Sequence, residues 1–400
     1  AFRLQMKQQL EERKILPEAL FGFRSGRSTA DAINNVLDCV KDKLADGKKV
    51  AVIALDASSA FNLLSRELVI ETLKIVGAGP LLVRWLSTFL SDRYSYVEID
   101  NESSETWLVD VGVPEGGLAS PDEYGIGTIS MALWSEISDS TLYADDACEV
   151  VWADTPLECH ARSQEVADNI SEWYKCSGLS LNPKKSEYIP FNYDHGAISV
   201  DGTQVEPKKA FKFLGCHIQA DLNWNTQVKE TVNKMRKSAA RIRIEGRNAG
   251  IRERKVLYYA WVHSHIMCNA GAYLPLLGSN QMHDLQTAAN AGIRAICRLP
   301  KHGQVPMTSI REKLQIPSVE TVRNRVMWVE AWKRKPPAIF QSGPTTRGQS
   351  AGNVLTPDLR GWNGKRIQIL AQATWNELPT DVRNESDRKK ATALIKKICL

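Results

Sequence analysis

Tyr143-Ala144-Asp145-Asp146 lies between two short apolar, β-prone runs of this 400-residue chain, and the second of them contains Val150-Val151-Trp152. This pattern predicts two strands joined by a tight turn that carries adjacent carboxylates at its tip. Adjacent ionised carboxylates repel each other, so a fold that holds them together usually supplies a cation between them. The same four residues also suit an ordinary polar hairpin turn, and only the rest of the chain separates the two interpretations.

A second apolar run, residues 49–56, ends in Asp56. Its lack of alternation predicts a strand buried on both faces. Asp56 would then emerge at the edge of the sheet, although an Asp in this place could also simply cap the helix predicted to follow it. If the two strand regions are neighbours, Asp56, Asp145 and Asp146 can meet. Three carboxylates around two Mg²⁺ ions, with Mn²⁺ as a substitute, are the apparatus of nucleotidyl transfer.

The order of motifs along almost the whole chain resembles a reverse transcriptase of the non-LTR (LINE-type) retrotransposon group. Several partial matches in the correct order are far more specific than any one of them. The matching segments are residues 21–29 (FGFRSGRST), Asp56 with Ala60 and Phe61, residues 112–121 (GVPEGGLASP), residues 143–146 (YADD), residues 178–187 (GLSLNPKKSE), residues 211–215 (FKFLG) and residues 375–379 (WNELP).

The resemblance implies an α+β fold, a right-hand polymerase with a palm of antiparallel sheet plus helices, partial fingers and an α-helical thumb. It divides the chain into a remnant of the fingers (1–49), the palm (50–224), a basic, helical, thumb-like domain (225–335), and a linker with a short tail (336–400). Because the chain begins with Ala inside an apparent helix, we expect an N-terminally truncated fragment of a longer polymerase.

The resemblance also implies roles for matched residues. Asp56, Asp145 and Asp146 would ligate two Mg²⁺ ions. Phe61 would exclude the 2′-hydroxyl of an incoming nucleotide by collision. Lys185 would stand near the triphosphate, and the loop at Pro114, Glu115 and Gly116 would lie along the dNTP. The residues expected to contact RNA template or DNA primer are Arg24, Arg27, Phe213, Leu214, Gly215, Arg236, Lys237, Arg241 and Arg243.

Some positions depart from the family pattern. Glu115 replaces the family's Gln and brings a negative charge toward the expected template and dNTP path, and Gly117 replaces a Ser. Asp122 and Glu123 replace residues that are usually apolar. For these two acids the local sequence favours helix-start chemistry, with Ser120 as N-cap and Glu123 completing a capping box.

The net charge of +5 conceals a strong asymmetry. Residues 1–200 carry 18 Lys or Arg against 31 Asp or Glu, whereas residues 201–400 carry 33 against 15. An acidic half with the metal site, followed by a basic half, suits an enzyme that holds nucleic acid with its C-terminal part.

The spacing of apolar residues predicts an amphipathic helix over 155–178 and strands over 198–200 and 211–218, with a turn at 201–202. It predicts helices from 225 onward, including 255–265, 280–298 and 319–335.

The eight Cys residues lack CxxC spacing, which favours reduced thiols. No stretch is apolar for long enough to cross a membrane, and no signal peptide is visible. Together with family behaviour, these features predict an intracellular ribonucleoprotein, nuclear and cytoplasmic, whose partners are RNA template, DNA primer or target, and dNTPs. The oligomeric state is left open.

Two alternatives to an active polymerase remain at this point. The first is a catalytically decayed remnant that only binds RNA or DNA, because of the expected N-terminal truncation, Glu115 and the acidic pair after Pro121. The second is a carboxylate-dependent phosphohydrolase or nuclease, which needs the acidic cluster but not Phe61.

Overall fold

The computed structural model describes residues 2–58, 60–134, 137–300, 305–334 and 367–398. Contacts divide the chain into two compact units, residues 1–214 and 215–400. The four-part division of the chain stays a prediction, and the linker expected over 336–357 lies outside the described residues.

The first unit mixes helices and short strands, as the sequence predicted. Its helices are α1 (Phe2–Glu12), α2 (Thr29–Ala45), α3 (Ala60–Leu63), α4 (Arg66–Ile75), α5 (Pro80–Leu90), α6 (Ser120–Gly127), α7 (Met131–Trp134) and α8 (Pro156–Cys176). Its strands are β1 (Lys49–Ser58), β2 (Arg93–Ser95), β3 (Glu98–Ile99), β4 (Glu102–Ser103), β5 (Trp107–Val109), β6 (Ser138–Tyr143), β7 (Asp146–Ala153), β8 (Ser180–Leu181), β9 (Glu187–Pro190), β10 (Ile198–Val200), β11 (Thr203–Val205) and β12 (Ala210–Phe213).

Strand β1 is the centre of a five-stranded antiparallel sheet. It pairs with β7 on one side and with β8 and β9 on the other, and β6 completes the sheet beyond β7. Residues Val50 to Ile53 are fully buried, which confirms that an unalternating apolar run marks a strand covered on both faces. Helices α2 and α8 pack against β1 and β7.

Helix α8 begins with a capping box. The Thr155 side chain accepts from the Glu158 N–H, and the Glu158 carboxylate accepts from the Thr155 N–H, so two N–H groups that the helix leaves unpaired are satisfied. The apolar side chains Val166, Ile170 and Trp173 are buried in the core of the unit, which confirms the predicted amphipathic helix.

A two-stranded hairpin leaves this core between α5 and α6. Strands β2 and β5 pair, with Tyr94 opposite Leu108, and β3 pairs with β4 farther along. Most of its large apolar side chains are exposed.

The second unit is almost entirely helical. After β13 (Cys216–Gln219) it contains α9 (Asn225–Glu245), α10 (Ile251–Tyr258), α11 (Ser264–Met267), α12 (Ala270–Tyr273), α13 (Ser279–Ile296), α14 (Met307–Leu314), α15 (Val319–Lys333), α16 (Ile367–Trp375), α17 (Thr380–Asn384) and α18 (Arg388–Ile398). Helices α9 and α13 make the largest contact between helices. A π-helical turn, Tyr259–His263, follows α10 within the helix predicted over 255–265.

The predicted strand over 211–218 is interrupted. Leu214 and Gly215 both have positive φ, 48° and 79°, so the backbone turns there and β12 ends at Phe213. The predicted turn at Asp201-Gly202 is confirmed, since both residues have positive φ between the paired strands β10 and β11.

The tail segment WNELP is part of a small core. Trp375 and Leu378 are buried against Trp332 and Ile395. Among the helices that the structure describes, none is long and apolar enough to cross a membrane.

Candidate active site

The Tyr143–Asp146 motif forms the predicted hairpin turn. Tyr143 pairs with Asp146 in the ladder between β6 and β7, so Ala144 and Asp145 make a two-residue loop. Ala144 has a φ of 56°, as the first central residue of a type II′ turn requires. The turn leaves the Asp145 side chain exposed and the Asp146 side chain half-buried.

Asp56 lies directly opposite Asp146 in the register of β1 and β7. The strands that carry the carboxylates are therefore neighbours. Lys185 reaches the same place, with its Nζ 3.3 Å from Asp56 Oδ2. The backbone brings it there because the Asn182 N–H donates to the Asp56 carbonyl at 2.8 Å, at the start of the turn that carries Lys185.

The carboxylates repel one another. Burial, together with the negative charges of Asp145 and Asp56, raises the pKa of Asp146 to about 6, and the positive charge of Lys185 opposes this shift. The raised pKa means that the fold disfavours the ionised carboxylate, and a bound cation would stabilise the ionised form. The donor set, oxygen only, is the type that Mg²⁺ prefers. Metal binding should therefore weaken below about pH 6, where protons compete for Asp146.

No preformed metal cage is found in the described part of the chain, where three or more His, Cys, Asp or Glu side chains do not group around one point. Mg²⁺ usually binds through one or two carboxylates, waters and substrate phosphates. The family generally uses divalent metal ions, and the carboxylates at the β1–β7 edge fit such an ion.

Phe61 belongs to an aromatic cluster that also contains Tyr124, whose hydroxyl is within electrostatic range of Asp145 and Asp146. Its ring stacks on Tyr124, with centroids 4.8 Å apart and planes 26° apart, and meets the edge of the Phe23 ring at 6.4 Å. Tyr124 is almost fully buried, so it supports Phe61 from the core side. The sequence analysis missed Tyr124, and the only signal was an aromatic residue just after Ser120-Pro121.

The loop of residues 112–120 packs directly on the segment that carries Phe61. The Val113 N–H donates to the Phe61 carbonyl at 2.8 Å, and the Gly112 N–H donates to the Leu64 carbonyl at 3.1 Å. A Cβ on Gly112 would lie 2.4 Å from the Asn62 carbonyl oxygen, so a glycine is needed at this contact. The Arg66 Nε donates to the Gly112 carbonyl at 2.7 Å and so attaches the loop to the start of α4.

The predicted dNTP loop at Pro114, Glu115 and Gly116 is held in a tight turn. The Gly117 N–H and the Ser120 hydroxyl both donate to the Pro114 carbonyl, at 2.9 and 2.5 Å. Glu115 and Gly116 are exposed at the tip. Glu115 has a weak contact with the Asn62 side chain at 3.5 Å, so its charge remains directed toward solvent.

The predicted capping box at the start of α6 is wrong. The N-cap is Ala119, with no side-chain cap, and the Ser120 hydroxyl donates to the Pro114 carbonyl instead. Asp122 instead forms an ion pair with Arg3 at 2.6 Å. Glu123 turns inward and is fully buried, and neither of its carboxylate oxygens has a hydrogen-bond partner among the described residues.

Replacing Glu123 with Leu should stabilise the protein at neutral pH. Burial raises the pKa of Glu123 from 4.5 to about 7, so folding favours the protonated acid. The stability from this group is complete below the unfolded pKa and is lost as pH rises through about 7. An unsatisfied buried carboxyl costs about 1–3 kcal/mol, so the gain in Glu123→Leu should be of that size at pH 7.5 and smaller at pH 5.5. Denaturant unfolding at both pH values measures it.

Glu149 is the matched control. It is equally buried and burial also raises its pKa to about 7, but Ser138 and Ser140 each donate to its Oε2 at 2.8 Å. Glu149→Leu would leave both hydroxyls without their acceptor and should destabilise the fold. Equal effects of the two substitutions would contradict this interpretation.

The FGFR segment packs against the Tyr143–Asp146 turn. The Phe21 N–H donates to the Leu142 carbonyl, and the Leu142 N–H donates to the Ala19 carbonyl, both at 2.8 Å. Gly22 lies so close to the turn that an added Cβ would be 2.5 Å from the Ala144 nitrogen. The sequence resemblance identified this segment but not its contact with the YADD turn.

Arg24 and Arg27, predicted to bind nucleic acid, make many contacts within the first unit. Arg24 pairs with Glu11 at 2.9 Å and donates to the Pro17 carbonyl at 2.7 Å, and its side chain is 10% exposed. Arg27 pairs with Glu18 and lies over the Phe21 ring. Their role toward nucleic acid stays a prediction.

Phe213, Leu214 and Gly215 lie at the end of the first unit and the start of the second. Phe213 is buried, and the other two form the turn described above. Their predicted contact with the primer is not tested by this geometry.

Helix α9 carries the other predicted nucleic-acid contacts. Val228, Met235 and Ile242 are buried on one face, as their helical spacing predicted. Arg236 and Lys237 are exposed. Arg241 pairs with Glu245 and stacks over the Trp261 ring at 4.3 Å, and the Arg243 guanidinium donates to the Leu299 carbonyl at 2.8 Å.

An antiparallel sheet that places a strand Asp opposite a turn Asp-Asp pair, with an aromatic ring beside them, defines a polymerase fold of the palm type. The family described as reverse transcriptase (RNA-dependent DNA polymerase) matches residues 3–218. The chain belongs to this reverse transcriptase family.

Curated relatives come from mobile elements. The chain is 23% identical over 332 residues to the probable RNA-directed DNA polymerase from transposon BS of Drosophila melanogaster, which covers 78% of this chain and 36% of that protein. It is 23% identical over 240 residues to the polymerase from mobile element jockey of the same species, covering 57% and 26%. The type-1 retrotransposable element R2 polyprotein of Popillia japonica is 22% identical over 195 residues, covering 44% and 32%. The resemblance to non-LTR retrotransposon reverse transcriptases is confirmed, and the chain spans about a third of these relatives.

Solved structures that are similar include telomerase from Candida tropicalis in complex with a telomeric RNA fragment, with a TM-score of 0.46 at 9% identity over 99% of this chain and 56% of that one. Telomerase from Candida albicans has a TM-score of 0.43 at 12% identity, covering 79% and 58%.

Proposed function

We propose that this chain is the polymerase part of a non-LTR retrotransposon protein and adds dNTPs to a primer 3′-hydroxyl on an RNA template. One observation carries the proposal: Asp56 lies opposite Asp146 at the strand edge, beside the Asp145 turn. Neither a binding module nor a polar hairpin requires this arrangement. In the reverse transcriptases that the chain resembles, this is the expected place of nucleotidyl transfer, and the biological use would be target-primed reverse transcription.

Asp56, Asp145 and Asp146 would hold Mg²⁺, with Mn²⁺ as a substitute. Such ions activate the attacking hydroxyl and stabilise the charge that develops on the phosphate and the leaving group. The protein's own part is to keep Asp146 ionised against its raised pKa of about 6 and to hold Asp56 in register with it. Lys185, 3.3 Å from Asp56, would move to the triphosphate and neutralise the leaving pyrophosphate.

Phe61→Ala should relax the discrimination against ribonucleotides. The Phe61 ring is held between Tyr124 and Phe23, so it cannot move away from a 2′-hydroxyl without disturbing the core. Exclusion by collision is lost when the ring is removed, and we expect the preference for dNTP over NTP to fall by about tenfold or more, equivalent to 1.4 kcal/mol. The measurement is kcat/KM for matched dNTP and NTP in single-nucleotide extension.

The control for that experiment is Phe89→Ala. Phe89 is an aromatic residue of α5 that stacks on Trp85, and it is 39% exposed. It should leave the ratio of dNTP to NTP use unchanged. A Phe61→Ala protein with an unchanged ratio would contradict the proposed role and would favour the nuclease interpretation, which does not need this ring.

The loop of Pro114, Glu115 and Gly116 would lie along the incoming dNTP, and Arg24, Arg27 and the turn at Phe213–Gly215 would contact template or primer. On α9, Arg236, Lys237, Arg241 and Arg243 would follow the phosphates of a template–primer duplex. The exposure of Arg236 and Lys237 supports this use. The predicted fingers, palm and thumb-like boundaries, and a nuclear and cytoplasmic ribonucleoprotein as the setting, belong to the same proposal.

The experiment that tests the proposal is extension of a DNA primer on an RNA template with Mg²⁺ and all four dNTPs, alongside binding of the same duplex at several salt concentrations. Extension supports the polymerase. Salt-sensitive binding without extension would favour the decayed remnant, to which Glu115 near the dNTP path and the buried Glu123 would both contribute. Absence of binding and extension would contradict both.

A further inference from the structure

The hairpin between α5 and α6 exposes an unusual amount of apolar surface. Tyr94, Tyr96 and Trp107 are 65%, 57% and 48% exposed, and Ile99 and Leu108 are 67% and 53% exposed. Tyr94 and Leu108 face each other across the strand pair, so they form one continuous surface. Apolar surface gathered in this way on a folded protein indicates an interaction site.

The same hairpin is acidic. Residues 93–110 contain five Asp or Glu residues and one Arg. This charge opposes contact with the phosphates of nucleic acid and with anionic lipid surfaces. It also opposes a symmetric contact between two copies of the hairpin, because the acids of one would face the acids of the other. The surface therefore fits a protein partner that is basic and apolar at once.

A surface with that complementary chemistry lies in the second unit, at the end of α9 and in α10. Ile244, Ile251 and Val256 are 71%, 48% and 67% exposed. Residues 244–256 also present Arg247, Arg252 and Lys255, while Arg254 is buried and the Glu245 carboxylate is already paired with Arg241. Phosphate binding needs the cations but gains nothing from three exposed aliphatic side chains. This basic aliphatic patch, residues 244–256, thus has the character of a protein-binding surface.

We propose that the acidic hairpin (residues 93–110) of one copy of the chain docks on the basic aliphatic patch of a second copy. The contact is heterologous: two different surfaces meet, and the pair of molecules retains one free hairpin and one free patch. The association therefore continues beyond a dimer as the protein concentration rises. It weakens with salt, because opposite charges across the rim contribute to it.

Sedimentation velocity on the nucleic-acid-free protein tests this. At low salt the average mass should rise above the 44.7 kDa of the single chain as concentration increases, and it should fall back at high salt. Tyr94→Ser/Leu108→Ser, which removes both members of the cross-strand pair, should weaken self-association at least about tenfold, as loss of central interface residues does. Ile251→Ser/Val256→Ser should weaken it to a similar extent. Ile75→Ser/Leu81→Ser, at sites 84% and 73% exposed elsewhere, is the control and should leave it unchanged.

Mixing the two defective proteins gives the sharpest result. Each retains the surface that the other has lost, so a mixture should form a one-to-one dimer and nothing larger, although each protein alone is monomeric. Thermal unfolding of every variant verifies that it is folded.

Three results would overturn the proposal. A monomer at every concentration and salt would show that the surfaces do not meet between copies. Self-association that survives both pairs of substitutions would place the contact elsewhere. Failure of the mixture to form the dimer, with self-association lost in each variant, would show that the hairpin and the patch do not bind each other.

Discussion

Asp145→Asn will abolish primer extension while leaving the protein folded and able to bind a template–primer duplex. Asp145 is at the tip of the two-residue loop between β6 and β7, and its side chain is exposed, so the amide fits the same space. Substitutions at such positions usually change stability by less than about 0.5 kcal/mol. Removing one of the three negative charges of Asp56, Asp145 and Asp146 should reduce the rate of extension by about 10³-fold or more. Charge stabilisation by metal ions held by these carboxylates would account for most of the rate enhancement.

Asp145→Asn should also lower the pKa of Asp146, a change that a general loss of stability would not produce. The Asp145 carboxylate helps to raise the pKa of Asp146 to about 6. Without that charge the Asp146 carboxyl should titrate at lower pH, which NMR of the labelled protein can follow without any metal or substrate. Asp154→Asn is the control. Asp154 follows β7 directly and pairs with Lys48, so it carries the same charge at the other end of the strand. Extension by Asp145→Asn within about tenfold of the wild type would contradict the proposed role.

The central sheet could be predicted from the sequence because its signals are local. The apolar run before Asp56 and the β-prone runs around Tyr143–Asp146 give strands, and strands of this kind have few ways to pair. The predicted adjacency is what brings Asp56 opposite Asp146. The helical spacing of Val228, Met235 and Ile242 is equally local, and their burial is confirmed.

The contacts that hold the site residues in place could not be predicted in the same way, because they join residues that are distant in sequence. Ser120 has the sequence of an N-cap, but its hydroxyl donates to the Pro114 carbonyl, and nothing local in residues 120–123 indicates that contact. Tyr124 is close to Phe61 only after α3 and α6 have assembled. The segment containing Gly22 shows nothing in its own composition that identifies its neighbour as the YADD turn.

Gly22→Ala should strongly reduce the rate of primer extension, although Gly22 is not one of the proposed site residues. The added Cβ would lie 2.5 Å from the Ala144 nitrogen and 3.2 Å from the Tyr143 carbonyl carbon. These are backbone atoms, which cannot rotate away as the end of a side chain can, so either the FGFR segment or the Tyr143–Asp146 turn must shift. Overpacking of this kind costs about 1–3 kcal/mol of stability. We expect a larger effect on the rate of extension, about 10²-fold, since a displacement of about 1 Å at a reacting group has that consequence.

The control is Gly196→Ala, because Gly196 is exposed and has no atom within 4 Å of an added Cβ. It should be close to neutral in stability and in rate. Rates are compared well below the unfolding temperature of each variant, so that unfolded protein does not contribute. Full activity in a folded Gly22→Ala protein would show that the turn tolerates the shift.

A displaced turn and a generally weakened fold predict different kinetics. If the substitution moves Asp145 and Asp146 relative to Asp56, the rate of the chemical step falls even at saturating template–primer duplex, where any effect on the predicted duplex contacts of Arg24 and Arg27 no longer limits the rate. If it only destabilises the first unit, lowering the temperature should restore the rate as the folded fraction recovers. We expect the first result, because the two hydrogen bonds between residues 19–21 and Leu142 tie the FGFR segment to β6 immediately before the turn. A segment so attached transmits its displacement to the catalytic carboxylates.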